Sequence, residues 1–199
     1  MIYIKDNRES LVDIKKACPA IAVKLHTGEK KAFLRKSVAK RLCQAKSYLP
    51  KGYTFIINDA WRSAKTQQKI YNKFLNHFTK KYPKWPKAKI VREVKKYVAP
   101  FEGERVSGHL TGGAIDLRLY RKNRKIPMWS SKLTYQENAQ SIQPKLPRHL
   151  QKNRKIMYDA LSKAGLINYR REFWHWSYGD LFWARINKKK YAIYGLIEK

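Results

Sequence analysis

The chain is poor in acid. Only 14 Asp and Glu stand against 45 Lys and Arg in 199 residues, a formal net charge of +31. A place where two carboxylates fall near two histidines is therefore more informative here than in an acidic protein. Cysteine is scarce as well. Cys18 and Cys43 are too few for a disulfide framework and lack zinc-ribbon spacing, so both are expected to be buried and reduced. No stretch approaches the roughly 20 apolar residues that span a bilayer. The start, Met1-Ile2-Tyr3-Ile4-Lys5-Asp6, has no basic segment followed by an apolar run. The expectation is a soluble, cytoplasmic chain with no membrane span. Repeats, heptads and low-complexity linkers are absent, and the length suits one domain over residues 1–199.

The excess of positive charge favours anionic partners such as nucleic acid, a membrane surface or an acidic cell-wall polymer. The lysines, however, are spread from Lys5 to Lys199, and no nucleic-acid-binding motif accompanies them. Nucleic acid is thus not the expected partner, while an anionic cell-wall polymer stays open.

Several elements are legible from period and punctuation. Val38, Leu42, Ala45 and Leu49 recur at helical spacing and are closed by Pro50 and Gly52. Tyr53 to Ile57 is β-branched and aromatic, which predicts a buried strand ending before Asn58-Asp59. Asp59-Ala60-Trp61-Arg62 then leads to Ser63, a helix cap, and to a stripe of Ile70, Phe74 and Phe78. A second helix is expected to begin at Pro86, carry Ile90, Val91, Val94 and Val98, and close at Pro100. Residues 121–147 are polar, with three prolines, and are expected to form an irregular wall or lid. A last helix follows from Leu150, with Gly165 just past its end. Phe173 to Tyr178 and Phe182-Trp183 read as a strand pair turning near Gly179-Asp180. Beyond a short initial strand, residues 1–35 show no stable period.

The chemistry concentrates in Ser107-Gly108-His109-Leu110-Thr111-Gly112-Gly113-Ala114-Ile115-Asp116 and later in Glu172-Phe173-Trp174-His175. Fully extended, the chain would hold His109 and Asp116 roughly 23–25 Å apart. One ion can reach both only if the chain folds back, which Gly112-Gly113 permits. From Gly113 the pattern has period two, with Ile115, Leu117 and Leu119 on one face and Asp116 and Arg118 on the other. A catalytic zinc keeps three protein ligands and one open position, and His109, Asp116 and His175 could supply the three. Glu172 would remain as the proton-transfer group and Arg62 as a stabiliser of oxyanion charge. Glu172 and His175 are three apart, so a bend must bring both to the ion. Plainer roles exist for each: a core histidine, a solvated aspartate, one surface arginine among many. His26, His77 and His149 have no partners at metal spacing. Spacing by itself leaves both sets of roles open.

The pattern Ser107-x-His109-x-x-Gly112-x-Ala114-x-Asp116, joined to Glu172-x-Trp174-His175 and preceded by Asp59-x-x-Arg62, closely resembles the D-alanyl-D-alanine dipeptidases of the vancomycin-resistance type. These are zinc metallopeptidases related to D,D-carboxypeptidases. The resemblance runs from about residue 35 onward and includes Trp176-Ser177-Tyr178-Gly179-Asp180. It implies Zn2+ held by His109, Asp116 and His175, a catalytic base at Glu172 and a transition-state arginine at Arg62. On the substrate side it implies Ser107, Trp174 and Asp59, the last helping to hold Arg62. The implied fold is α+β, a small, mostly antiparallel sheet carrying the zinc site and packed against several helices.

The sequence departs from the family's pattern in three places. Phe173 replaces a tryptophan, Gly108 stands where a second serine can occur, and Met128 to Ser141 offers only Glu137 to hold a substrate ammonium. The first expected activity is zinc-dependent hydrolysis of the D-Ala-D-Ala dipeptide. The second is D,D-carboxypeptidase action on longer cell-wall stem peptides. A third, of another class, is a non-catalytic polyanion-binding protein that has kept the fold.

Overall fold

The computed structural model describes residues 2–100 and 107–197. The N-terminal region without a period builds short pieces: β1 (Tyr3–Ile4), β2 (Leu11–Asp13), α1 (Ile14–Ala17), β3 (Ala22–Val23) and β4 (Phe33–Arg35). Next come α2 (Lys36–Ser47), β5 (Tyr53–Asp59) and α3 (Ala64–Lys81), where the sequence pattern puts them, and α4 (Lys87–Val94), which stops one turn short of the expected Val98. A 3-10 turn at Gly108–Thr111 leads into β6 (Ala114–Arg121) and a hairpin partner, β7 (Arg124–Lys125). The expected irregular wall contains a short α5 (Tyr135–Ala139), before α6 (Arg148–Lys163) and β8 (Ile167–Asn168). The chain finishes with β9 (His175–Ser177), α7 (Leu181–Ile186) and β10 (Tyr191–Ala192).

The main sheet has the order β3-β5-β6-β9-β8, with β7 also on β6. Its pairs are antiparallel except β3 with β5, so the sheet is mixed, with antiparallel pairing dominant. The period-two face of β6 is its buried face: Ile115, Leu117 and Leu119 are wholly inaccessible, as are Phe55 and Ile57 of β5. They share one core with Val38 and Leu42 of α2 and Met157 and Leu161 of α6. Truncating one such side chain to alanine costs about 2–5 kcal/mol. That anchoring holds the opposite, polar face of β6 in place.

A second, smaller apolar cluster lies between α3 and α4, built on Phe78, Ile90, Val94 and Val98. Pro86 is the cap of α4 rather than its first helical residue. Among the described residues no helix is long and apolar enough to cross a membrane. Cys18 and Cys43 are free thiols, the first buried and the second half-buried.

The expected strand pair at Phe173–Trp183 is corrected. β9 pairs with β6 and β8, and Phe182-Trp183 lie in α7. The physical reason is Asp180: its carboxylate accepts the Trp183 amide at 2.7 Å and caps a helix where a turn was expected.

Candidate metal centre

Register puts three strands side by side at one level: Asp59 of β5 opposes Asp116 of β6, which opposes His175 of β9. A β-bulge between Ile57 and Asp59 re-aims the end of β5 at this point. His109 arrives from the 3-10 turn, whose first amide bonds are completed by the Ser107 hydroxyl, which accepts from the His109 amide at 3.3 Å. The turn closes at Gly112 with φ of 70°, a left-handed conformation that glycine adopts without strain. This is the expected fold-back. The bend before β9 is also present: the Glu172 carbonyl accepts from the His175 amide at 3.0 Å, closing a four-residue β-turn.

The result is a triangle of donor atoms. His109 Nε2 lies 3.2 Å from His175 Nδ1 and 3.4 Å from Asp116 Oδ1, and the latter two atoms are 3.0 Å apart. Ligands about 2.0–2.1 Å from a tetrahedral ion stand about 3.3 Å from one another, so the spacing and the donor types both suit one small divalent cation. Among the described residues this is the one such group of three. His109 Nδ1 faces the Ala60 carbonyl at 2.7 Å, so the ring N–H donates there and Nε2 keeps its lone pair for a metal.

Burial opposes charge on Asp116, but the two imidazoles, His109 first, overcome it and hold the carboxyl well below the usual carboxylate range. Burial likewise resists protonation of His175, yet Asp116 raises its pKa. Glu172 behaves in the opposite way. Burial pushes its pKa up, His175 works against this, and Asp116 adds to it. One carboxylate is thus kept ionised beside the imidazoles, and the other is poised to take a proton.

Arg62 is held from three directions. Its Nε donates to Asp59 Oδ2 at 2.6 Å, its Nη1 to Gln67 Oε1 at 2.7 Å, and its backbone amide to the His109 carbonyl at 3.2 Å. Gln67 is fully buried and donates in turn to the Ala99 carbonyl at 2.7 Å. Burial works against the guanidinium's charge, and Asp59 more than restores it.

Ser107, His109, Asp116, Glu172, Trp174, His175 and Arg62 line one cleft of about 1450 Å³. Asp59, placed on the substrate side from sequence, stands behind Arg62 and does not line that cleft. Its carboxylate is occupied by the guanidinium and by the Ala60 amide at 2.9 Å. Glu137 is also occupied: it closes a capping box with Thr134 and pairs with Lys145 at 2.7 Å, which lowers its pKa to about 2. It too is absent from the cleft lining. At Gly108 any side chain would collide with the Asp180 carboxylate and Ala114, which accounts for glycine in place of serine. Gln67 and the Ala60 carbonyl escaped the sequence reading, and Asp180 reads there only as part of a turn and of the family-like stretch. Gln67 carries no motif, and a carbonyl carries no sequence signal at all.

Two imidazole nitrogens and one carboxylate oxygen at tetrahedral spacing, beside a protonatable carboxylate and a clamped arginine, are the parts of a mononuclear metallohydrolase. The chain belongs to the D-ala-D-ala dipeptidase family of peptidases, whose sequence profile matches residues 13–192. Two solved structures are similar in outline. VanYB in complex with D-alanine-D-alanine shares 15% identity over 82% of this chain and 81% of that chain, with a TM-score of 0.48. The vancomycin-resistance D,D-pentapeptidase VanY of the VanB-type cassette, a glutamate-to-alanine mutant in complex with Zn(II), shares 14% identity over 95% and 94%, with a TM-score of 0.49. No curated protein matches the chain in sequence.

Proposed function

We propose that the protein is a zinc-dependent D,D-peptidase that cleaves the bond between two D-alanines, with His109, Asp116 and His175 as ligands. The observation that carries this reading is the donor triangle sharing one cleft with Glu172 and Arg62. Zinc in such a site supplies Lewis acidity that acidifies water and polarises a carbonyl. Glu172, with its raised pKa, takes a proton from the attacking water and passes it to the leaving nitrogen. Arg62, immobilised by Asp59 and Gln67, donates to the carbonyl oxygen as negative charge grows there. Trp174 gives the cleft an apolar wall against which the small side chains pack.

Two substrate forms fit this chemistry: the free dipeptide and the end of a longer cell-wall stem peptide. The cleft volume and the engagement of Glu137 elsewhere favour the longer form, because no acid from residues 128–141 lines the cleft to hold a free ammonium. Zinc content measured together with D-alanine release from D-Ala-D-Ala and from an N-acylated peptide ending in D-Ala-D-Ala tests the reading. Release from either substrate with one zinc per chain supports it. Release from neither with zinc bound overturns it, and the ratio of the two rates selects the substrate form.

A further inference from the structure

Arg118 lies on β6 two residues beyond Asp116, on the same face and about 6.6–6.8 Å further along the strand. Its guanidinium carbon sits 4.9 Å from the Trp174 ring centre and 5.1 Å from that of Phe173. Nη1 is buried and has no hydrogen-bond partner among the described residues. No carboxylate forms an ion pair with it there; Asp116 and Glu172 act on it only through space. An arginine donor buried without a partner is destabilising, more so for a charged group.

Arg154 provides an internal control. It stacks on the same Phe173 ring at 4.0 Å, but its donors reach the carbonyls of Met128 at 2.9 Å and Asn138 at 2.7 Å, and that of Gln140. Among the described residues Arg41 Nε is also buried without a partner, but Nη1 of Arg41 donates to the Ala164 carbonyl at 2.8 Å, and of these two arginines Arg118 is the one that lines a pocket. Beside it opens a pocket of about 220 Å³ lined by Arg118, Lys125, Ile126, Met128, Trp129 and Phe173. That is room for about seven water-sized atoms, with two cations and no acid in the lining. The pocket adjoins the cleft across a wall of touching rings: Trp129 is 6.0 Å from Trp174 and 5.4 Å from Tyr135, and the latter two line the cleft.

We propose that this pocket is an oxyanion subsite, in which the Arg118 fork, with Lys125 at the rim, receives a carboxylate carried by the peptide that lies in the cleft. The guanidinium fork matches a carboxylate in a bidentate manner, and turning it toward the pocket would give the buried Nη1 an acceptor. This inference rests on the D,D-peptidase reading for its substrate, though not for the anion site itself. A free small anion offers the same chemistry and is the other source of the ligand.

The test compares N-acetyl-Glu-D-Ala-D-Ala with N-acetyl-Gln-D-Ala-D-Ala on the zinc enzyme, and follows the melting temperature with inorganic phosphate as a probe. The wild type should prefer the acidic peptide by about tenfold or more in kcat/KM, through KM, the size expected of one charge-assisted hydrogen bond. Arg118→Met should bring the ratio to about one by weakening only the acidic peptide, and Arg118→Lys should give an intermediate ratio. Arg118→Met should also melt no lower than the wild type, because it removes an unpartnered charge, whereas a purely structural arginine would be missed. Phosphate that raises the melting temperature of the wild type but not of Arg118→Met, with a peptide ratio near one, assigns the pocket to a free anion. A ratio near one with no phosphate effect overturns the subsite. Failure to cleave the Gln peptide counts against the D,D-peptidase reading alone, since the phosphate shift still reports on Arg118.

Discussion

The two sides of the cleft are built in opposite ways. On one side β5, β6 and β9 hold Asp59, Asp116 and His175 at one register level above a core whose central residues are wholly inaccessible. On the other, α3 and α4 close on a small cluster of their own, and α3 contributes Ile70, Lys73, Phe74 and His77 to the cleft. Residues 64–98 carry eleven Lys and Arg and a single acid, Glu93, which pairs with Lys96. The sheet side fixes which side chains face the cleft, because a strand shifted by one residue would turn every side chain over. The helical side has no such register and can tolerate variation. Chemistry sits where geometry is enforced, and α3 is tied across by Gln67, which holds Arg62 from its first turns, and by its cap Ser63, whose amide and hydroxyl donate to Glu29.

Substitutions should separate these sides in a graded order. Glu172→Ala should lower kcat by about 10³-fold while zinc stays bound, read by metal analysis alongside D-alanine release. Loss of zinc from that variant would place Glu172 among the ligands instead. His109→Ala should lose metal as well as activity, and full zinc occupancy would contradict the ligand assignment. Arg62→Lys should cost about 10²-fold in kcat with little change in KM, because an ammonium cannot serve Asp59, Gln67 and substrate together. Gln67→Ala should cost less, about tenfold in kcat, and would sharpen the comparison if zinc affinity is unchanged. Val94→Ala, in the helical cluster, should lower the melting temperature and leave zinc affinity within twofold. A loss of zinc there would show that the two sides are coupled more tightly than these contacts provide.

The smallest effect concerns acid. Burial would raise the Glu9 pKa, but hydrogen bonds from Ser37 and Tyr194 and the Arg35 charge lower it overall. A lowered folded pKa contributes stability above the unfolded value of 4.5, and that stability is lost as pH falls through the folded pKa. Glu9→Gln should therefore flatten the acid limb of a stability-versus-pH curve below about pH 5. An unchanged limb would exclude Glu9 as a contributor.

Much of the sheet side was legible because its cues are local. Alternation marks the faces of β6, Gly112 marks the fold-back, and on the helical side Ser63 marks the start of α3 just as locally. Residues 1–35 were opaque because their strands are two or three residues long and owe their existence to distant partners. β1 pairs with β10, and β3 pairs with β5. Arg35 gave no warning either, though its side chain is buried and its Nε donates to the Thr111 carbonyl at 2.9 Å, at the end of the ligand turn. The aromatic Phe182-Trp183 suggested a strand, and only the cap made by Asp180 decides for a helix. Asp59 is grouped in sequence with the substrate residues but is also expected to hold Arg62, and the second part is what its carboxylate does.

The hydrogen bond from His109 Nδ1 ends on a main-chain oxygen at residue 60. An acceptor of that kind belongs to every amino acid, so replacing Ala60 by a different side chain deletes no atom of the contact. The tautomer of the ligand is thereby written into the path of the chain after the β5 bulge and not into residue identity. Mutational drift at position 60 can disturb it only by bending that path, which makes this part of the centre hard to lose one substitution at a time.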